Sequence, residues 1–174
     1  MKLARLLFAF APLLGATAAF AQPSENAVKA AFLPRFARYV TWPAAAPAGA
    51  PFQLCILGRD PFGPLLDQAA ASELIDGHPV TVRRMATPDR AAGCQLAFVD
   101  GASPQDTTRM LLARRDHAIL TVTDARAGPQ RGMIHFTIVA GRVRFFIDDA
   151  EAAGRGLSIS SRLLALAAGV RLRR

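Results

Sequence analysis

The sequence predicts an α/β domain: a mostly parallel sheet covered by helices, with a C-terminal β-hairpin and a final helix. Three observations carry that expectation. Apolar strand-like runs alternate with helical patterns from Phe52 to Thr123, the order that builds parallel βαβ units. The runs CILG, LAFV and AILTV lack polar alternation, as strands buried on both faces do. Two further runs, Met133 to Val139 and Arg142 to Ile147, meet at Ala140-Gly141, which suits a tight hairpin turn.

Ser24 is placed to N-cap a first helix that runs to about Thr41, where Trp42-Pro43 stops it. Val28, Ala31, Phe32, Phe36 and Tyr39 recur at three- and four-residue spacing and are expected to share its apolar face. Arg35 falls at the centre of that face, and Pro34 should kink the helix. A guanidinium there needs a countercharge, because an unpaired buried charge costs several kcal/mol. Asp148 or Asp149 is the expected internal partner. The other reading leaves the face open, with Arg35 reaching for a second protein.

After the connector AAAPAGAP, a strand is expected over Phe52 to Gly58, a turn at RDPFG and a helix from about Pro64 to Leu74. The turn IDGHP leads to a strand over Val80 to Met85, and Thr87 to Gly93 reads as a loop or short helix. Strands over Gln95 to Asp100 and Ala118 to Thr123 flank a helix from Pro104 to Arg114, capped by Ser103. Beyond the hairpin, Asp148 and Asp149 read as helix N-terminus charges rather than paired catalytic carboxylates, and after DDAEAAGRG Ser158 caps a final helix through about Ala168. Arg142, Arg144 and Phe146 alternate with Val143, Phe145 and Ile147, so one side of that strand is expected to be wet.

The N-terminus sets the compartment. Lys2 and Arg5 form a basic start, Leu6 to Phe20 is apolar except at Pro12, Gly15 and Thr17, and Ala19-Phe20-Ala21 has the small-x-small form of a cleavage site. Residues 1–21 read as a secretory signal peptide removed after Ala21. An uncleaved membrane span would need about 20 apolar residues, and this run is shorter. Residues 22–174 then form one domain of about 150 residues, in an oxidising compartment without a nucleotide pool. Kinase, NAD-dependent and nucleic-acid functions are disfavoured on that ground. Removing Lys2 and Arg5 takes the formal charge from +8 to +6. The Arg171, Arg173 and Arg174 tail is expected to be solvated.

Cys55 and Cys94 fall on two expected strands, so one bridge would staple neighbouring strands of the sheet. Two buried free thiols are the other reading. His78, His117 and His135 do not stand at metal-ligand spacing, and no metal or cofactor is expected. Gly58 to Gly63 has glycines at phosphate-loop spacing but no following Lys-Ser/Thr. Gly156-Leu157-Ser158-Ile159-Ser160 lacks the last glycine of a nucleophile elbow, and no His follows it. The residues assemble no catalytic set.

The segments VKAAFLPRFARYVTWP, FQLCILGRDPFG, TVTD, GMIHF, VRFFID and GLSISSRLLALA, in that order, resemble the YfiR family of exported bacterial proteins. The resemblance spans about Val28 to Val170. It implies a dimerising periplasmic α/β regulator without catalysis, one that binds the periplasmic part of an inner-membrane diguanylate cyclase of the YfiN type and holds it inactive. An outer-membrane lipoprotein of the YfiB type can sequester such a regulator, and cyclic di-GMP and biofilm formation follow. The resemblance also implies that Cys55 and Cys94 match one family cysteine pair; a second pair is absent here. Pro34, Arg35 and Thr41 stand where Tyr, Asn and Glu are usual. Partner-binding candidates are Phe32, Arg35, Phe36 and Trp42 around the first helix, Asp60 and Phe62 in the turn, and Arg144 in the hairpin. Pro43, Pro61, Ser160 and Ser161 are weaker candidates. The competing reading is a periplasmic module that binds a small ligand for a membrane sensor or transporter, with Arg35, His135 and Arg144 as its suggestive polar set.

Overall fold

The computed structural model describes residues 22–44, 47–85 and 93–173. The expected signal peptide and nearly all of the Thr87 to Gly93 segment lie outside them. Ser24 caps helix α1, Glu25–Ala37, by accepting from the Ala27 amide at 3.2 Å. After the short strand β1, Val40–Thr41, come β2, Phe52–Gly58, helix α2, Pro64–Ala70, and the hairpin of β3, Leu74–Ile75, with β4, His78–Met85. Strand β5, Leu96–Asp100, helix α3, Pro104–Leu112, and strand β6, Leu120–Asp124, follow. The C-terminal part holds β7, Ile134–Val139, β8, Arg142–Asp148, helix α4, Asp149–Gly154, β9, Ser158–Ile159, helix α5, Ser161–Leu164, and β10, Gly169–Arg171.

The eight-stranded sheet has the order β10-β8-β7-β6-β5-β2-β4-β3. Strands β4, β2, β5, β6 and β7 are mutually parallel; β8 is antiparallel to β7, and β10 runs parallel to β8. The predicted α/β class and mostly parallel sheet are present, and so is the hairpin. Ala140 and Gly141 adopt φ of 48° and 72° at its turn, the left-handed pair that matches strand twist in a two-residue loop.

One face of the sheet buries Leu54, Ile56, Leu96, Phe98, Leu120, Val122, Ile134, Phe136, Phe145 and Ile147 against α1, α2 and the C-terminal helices. The opposite face buries Cys55, Leu57, Ala97 and Val99, with Met110 and Leu111 of α3 packed on them. Cys55 and Cys94 are joined, with Cα atoms 5.9 Å apart, so the bridge staples β2 to the start of its neighbour β5. No helix among the described residues is long and apolar enough to cross a membrane.

Three expectations are corrected. Helix α1 ends at Ala37 rather than Thr41, because Val40 and Thr41 pair with Ile159 and Ser158 in a separate two-stranded ladder. Helix α2 ends at Ala70 rather than Leu74, since Leu74 and Ile75 pair with β4. Beyond the hairpin, Asp148 and Asp149 stand at the start of helix α4, as expected of helix N-terminus charges, with Asp148 accepting from the Glu151 amide at 2.8 Å. The long final helix from Ser158 is instead β9, a short α5 capped by Ser160, and β10. Ladder pairing outcompetes helix formation at both ends of that stretch.

The buried face of α1 also differs. Lys29, Ala30, Leu33, Pro34, Phe36 and Ala37 are buried, Phe32 is half-buried, and Arg35 and Tyr39 are exposed. Pro34 is accommodated inside the helix, close enough to its end to remove little of the hydrogen-bond ladder.

Candidate functional site

A doubly wound sheet places its ligand crevice at the carboxyl ends of the strands, where the order reverses. Here β4 and β5 flank β2 on opposite sides, so that point lies between β2 and β5. Gly58 closes β2 with φ of 92°, and a Cβ on it would lie 2.2 Å from the Asp100 carbonyl oxygen. Only glycine permits that approach, and the Arg59 amide uses it to donate to the same oxygen at 2.7 Å.

The resulting cleft has a volume of about 600 Å³ and is lined by the start of α1 together with Arg59, Asp60, Asp100, Asp124 and Arg126. Arg59 Nη2 donates to Asp100 Oδ1 at 2.6 Å. Lys29, whose side chain is 0% exposed, donates to both Asp124 and Glu25. Arg126 Nε donates to Glu25 at 2.6 Å. The Arg126 hydrogen bond, reinforced by Lys29, holds the Glu25 carboxyl below its ordinary range against the opposing effect of desolvation. Asp60 accepts from the Phe62 and Gly63 amides at 2.8 and 3.1 Å and from Arg84 Nε at 2.7 Å. Every carboxylate of the cleft thus meets a cation, and the set ties α1 to the end of β6 and the end of β2 to that of β5. The glycine-flanked turn holds Asp60 rather than a phosphate.

The candidate partner residues divide sharply. Phe32 and Phe36 stack with ring centroids 5.6 Å apart and contact Phe136 and Phe145, so they form the seam between α1 and the sheet. Trp42 packs edge-on against Phe52 and donates its indole N–H to the Gln95 carbonyl at 3.2 Å. Phe62 is buried against Phe98. These four residues pack the core, and Asp60 caps the α2 turn.

Only Arg35 and Arg144 are exposed, and they lie on opposite sides of the sheet, since Phe145, the neighbour of Arg144, is the residue that faces α1. Arg35 makes no ion pair with Asp148 or Asp149; those carboxylates take Arg171 at 2.5 Å and Arg173 at 2.8 Å. Arg171 and Arg173 are therefore ion-paired rather than merely solvated. The set of Arg35, His135 and Arg144 is not assembled, because His135 and Arg144 share the face away from α1. His135 is buried, with Nδ1 2.8 Å from Thr123 Oγ1, and burial followed by the Arg131 charge pushes its pKa down.

Lys29 is the residue that sequence reasoning missed. Glu25 four residues before it was a readable signal for a helix-surface pair, but Asp124 is distant in sequence, and nothing local announced it.

These features define a disulfide-stapled, doubly wound α/β fold with an ionic clamp at the strand ends and an arginine-bearing face opposite α1. Residues 26–168 match the model of the YfiR/HmsC-like family, and the chain belongs to that family. No curated protein matches the chain.

Proposed function

We propose that this chain is exported, cleaved after Ala21, and acts in the periplasm as a non-catalytic regulator that binds the periplasmic part of an inner-membrane diguanylate cyclase and represses it. The carrying observation is family membership over residues 26–168. The Cys55–Cys94 bridge suits an oxidising compartment and so supports export. A homodimer is the expected working form, and an outer-membrane lipoprotein is a further candidate partner.

Deletion of the chain should raise cyclic di-GMP, and simultaneous deletion of the cyclase should restore the low level. An unchanged level in the single deletion rejects the reading. N-terminal sequencing of the periplasmic protein should begin at Gln22.

A further inference from the structure

The helices of this fold cover the sheet unevenly. In a doubly wound sheet each crossover normally lays a helix on one face. Between β5 and β6 that helix is α3, but between β6 and β7 there is only the 3₁₀ turn Ala125–Ala127 and a loop to Met133. The face of β7, β8 and β10 on the α3 side is therefore missing a crossover helix. Register places Thr123, His135, Phe146 and Gly169 in one row across that face. Gly169 is what lets the row lie flat, because a Cβ there would meet the Phe146 ring at 2.9 Å.

Two cavities of about 310 and 580 Å³ share Arg131, Gly132, Met133, Asp148 and Arg171, so they form one continuous trough. From β6 to β10 the trough spans three inter-strand spacings, about 14 Å, and an α-helix is about 10 Å across. Its walls are cationic. Arg115 and Arg131 line it, and Arg142 and Arg144 continue the same face toward the hairpin tip. None of these four forms an ion pair among the described residues. The carboxylates nearby, Asp148 and Glu151, are already taken by Arg171 and Arg155 at 2.5 Å. Between the arginines lies half-buried Phe146, with the Arg131 guanidinium 5.4 Å from its ring centroid, and Leu112 is 48% exposed on the α3 rim.

We propose that this trough is a docking site for an acidic amphipathic helix of a partner protein, which fills the missing crossover position. Its apolar side meets Leu112 and half-buried Phe146, and its carboxylates meet Arg115, Arg131 and Arg144. A flat anionic bilayer would engage the rim arginines but would not reach half-buried Phe146 between the walls. The inference does not depend on the partner being a cyclase.

The test places a photo-crosslinking amino acid at Leu112 and, separately, at Arg35 on the opposite side, in the full chain produced in its own cells. Crosslinked peptides are then identified. The expected result is a crosslink from position 112, and not from 35, to a helical segment rich in Asp and Glu. It should fall at least tenfold in the Arg131→Glu, Arg144→Glu variant while the melting temperature holds. Reversing the partner's acids to Arg should restore it in that variant. If the captured acidic helix belongs to a protein other than a cyclase, the docking site stands and the cyclase reading falls. Crosslinks from 112 only to lipid, to a second copy of this chain or to a neutral or basic segment overturn the inference, as does no crosslink at all.

Discussion

The strand-end cleft and the open face of the C-terminal strands treat charge in opposite ways. In the cleft, Glu25, Asp60, Asp100 and Asp124 each meet Lys29, Arg59, Arg84 or Arg126, and Lys29 is wholly buried. On the open face, four guanidinia stand without ion pairs among the described residues. Burial explains the contrast at Lys29, whereas Arg59, Arg84 and Arg126 pair while exposed. A charge withdrawn from water requires a partner inside the same fold, whereas an exposed guanidinium is stabilised by solvent until an external anion displaces it. The place where an α/β fold usually holds its ligand is here an internal clamp, and the surface open to a partner has moved to the side lacking a helix.

Removing one member of the clamp should give the largest effect. Asp124→Ala leaves Lys29 buried beside a single partner and should cost about 3–5 kcal/mol in urea unfolding. Arg131→Ala on the open face should change stability by less than about 0.5 kcal/mol. Equal losses would erase the distinction between the two regions.

The disulfide ranks next. Cys55→Ser combined with Cys94→Ser opens a loop with a sequence separation of 39, and the loss should be about 3–4 kcal/mol on the chain-entropy model. Because the bridge joins β2 to the entry of β5, away from β7, β8 and β10, its loss should leave binding at the open face intact in protein that remains folded. Recovery of both cysteines as free thiols from periplasmic protein would reject the bridge.

A smaller effect concerns His135, on the floor of the open face. Its folded pKa is pushed below the ordinary value, chiefly by burial and then by Arg131. The unfolded chain therefore takes up this proton at higher pH than the folded one. This contribution to stability is fully present above about pH 6.5 and is lost as the pH falls below it. Denaturation midpoints between pH 7.5 and 5.5 should decline less steeply in His135→Gln than in the wild type.

The smallest effect is at Arg35. Exposed and outside any ion pair among the described residues, it should tolerate Arg35→Ala with a melting-temperature change below about 2 °C. A larger drop would mean that α1 uses this residue internally after all.

Much of the architecture was legible because its signals are local. The apolar runs of β2, β5 and β6, the Ser24 and Ser103 caps, and the turn at Ala140-Gly141 each depend on neighbours within a few residues. The Cys55 and Cys94 placement was readable for the same reason. The face of α1 was not, because apolar residues lie all round that helix and periodicity alone does not select a side. Packing against Phe136 and Phe145 selected Leu33 and Phe36, turned Arg35 outward and drew Lys29 in. The two short ladders were equally hidden, since Val40 pairs with Ile159 and Gly169 with Phe146 across long stretches of chain.

The sequence by itself determined the long strands and the Ser24 and Ser103 caps, which rest on short-range spacing, and the family, which rests on motif resemblance. Tertiary structure alone decided which charges are buried and which face is bare. Both depend on where distant segments meet: Lys29 tolerates burial only because Asp124 arrives beside it, and the trough is open only because the β6 to β7 crossover brings no helix to cover it.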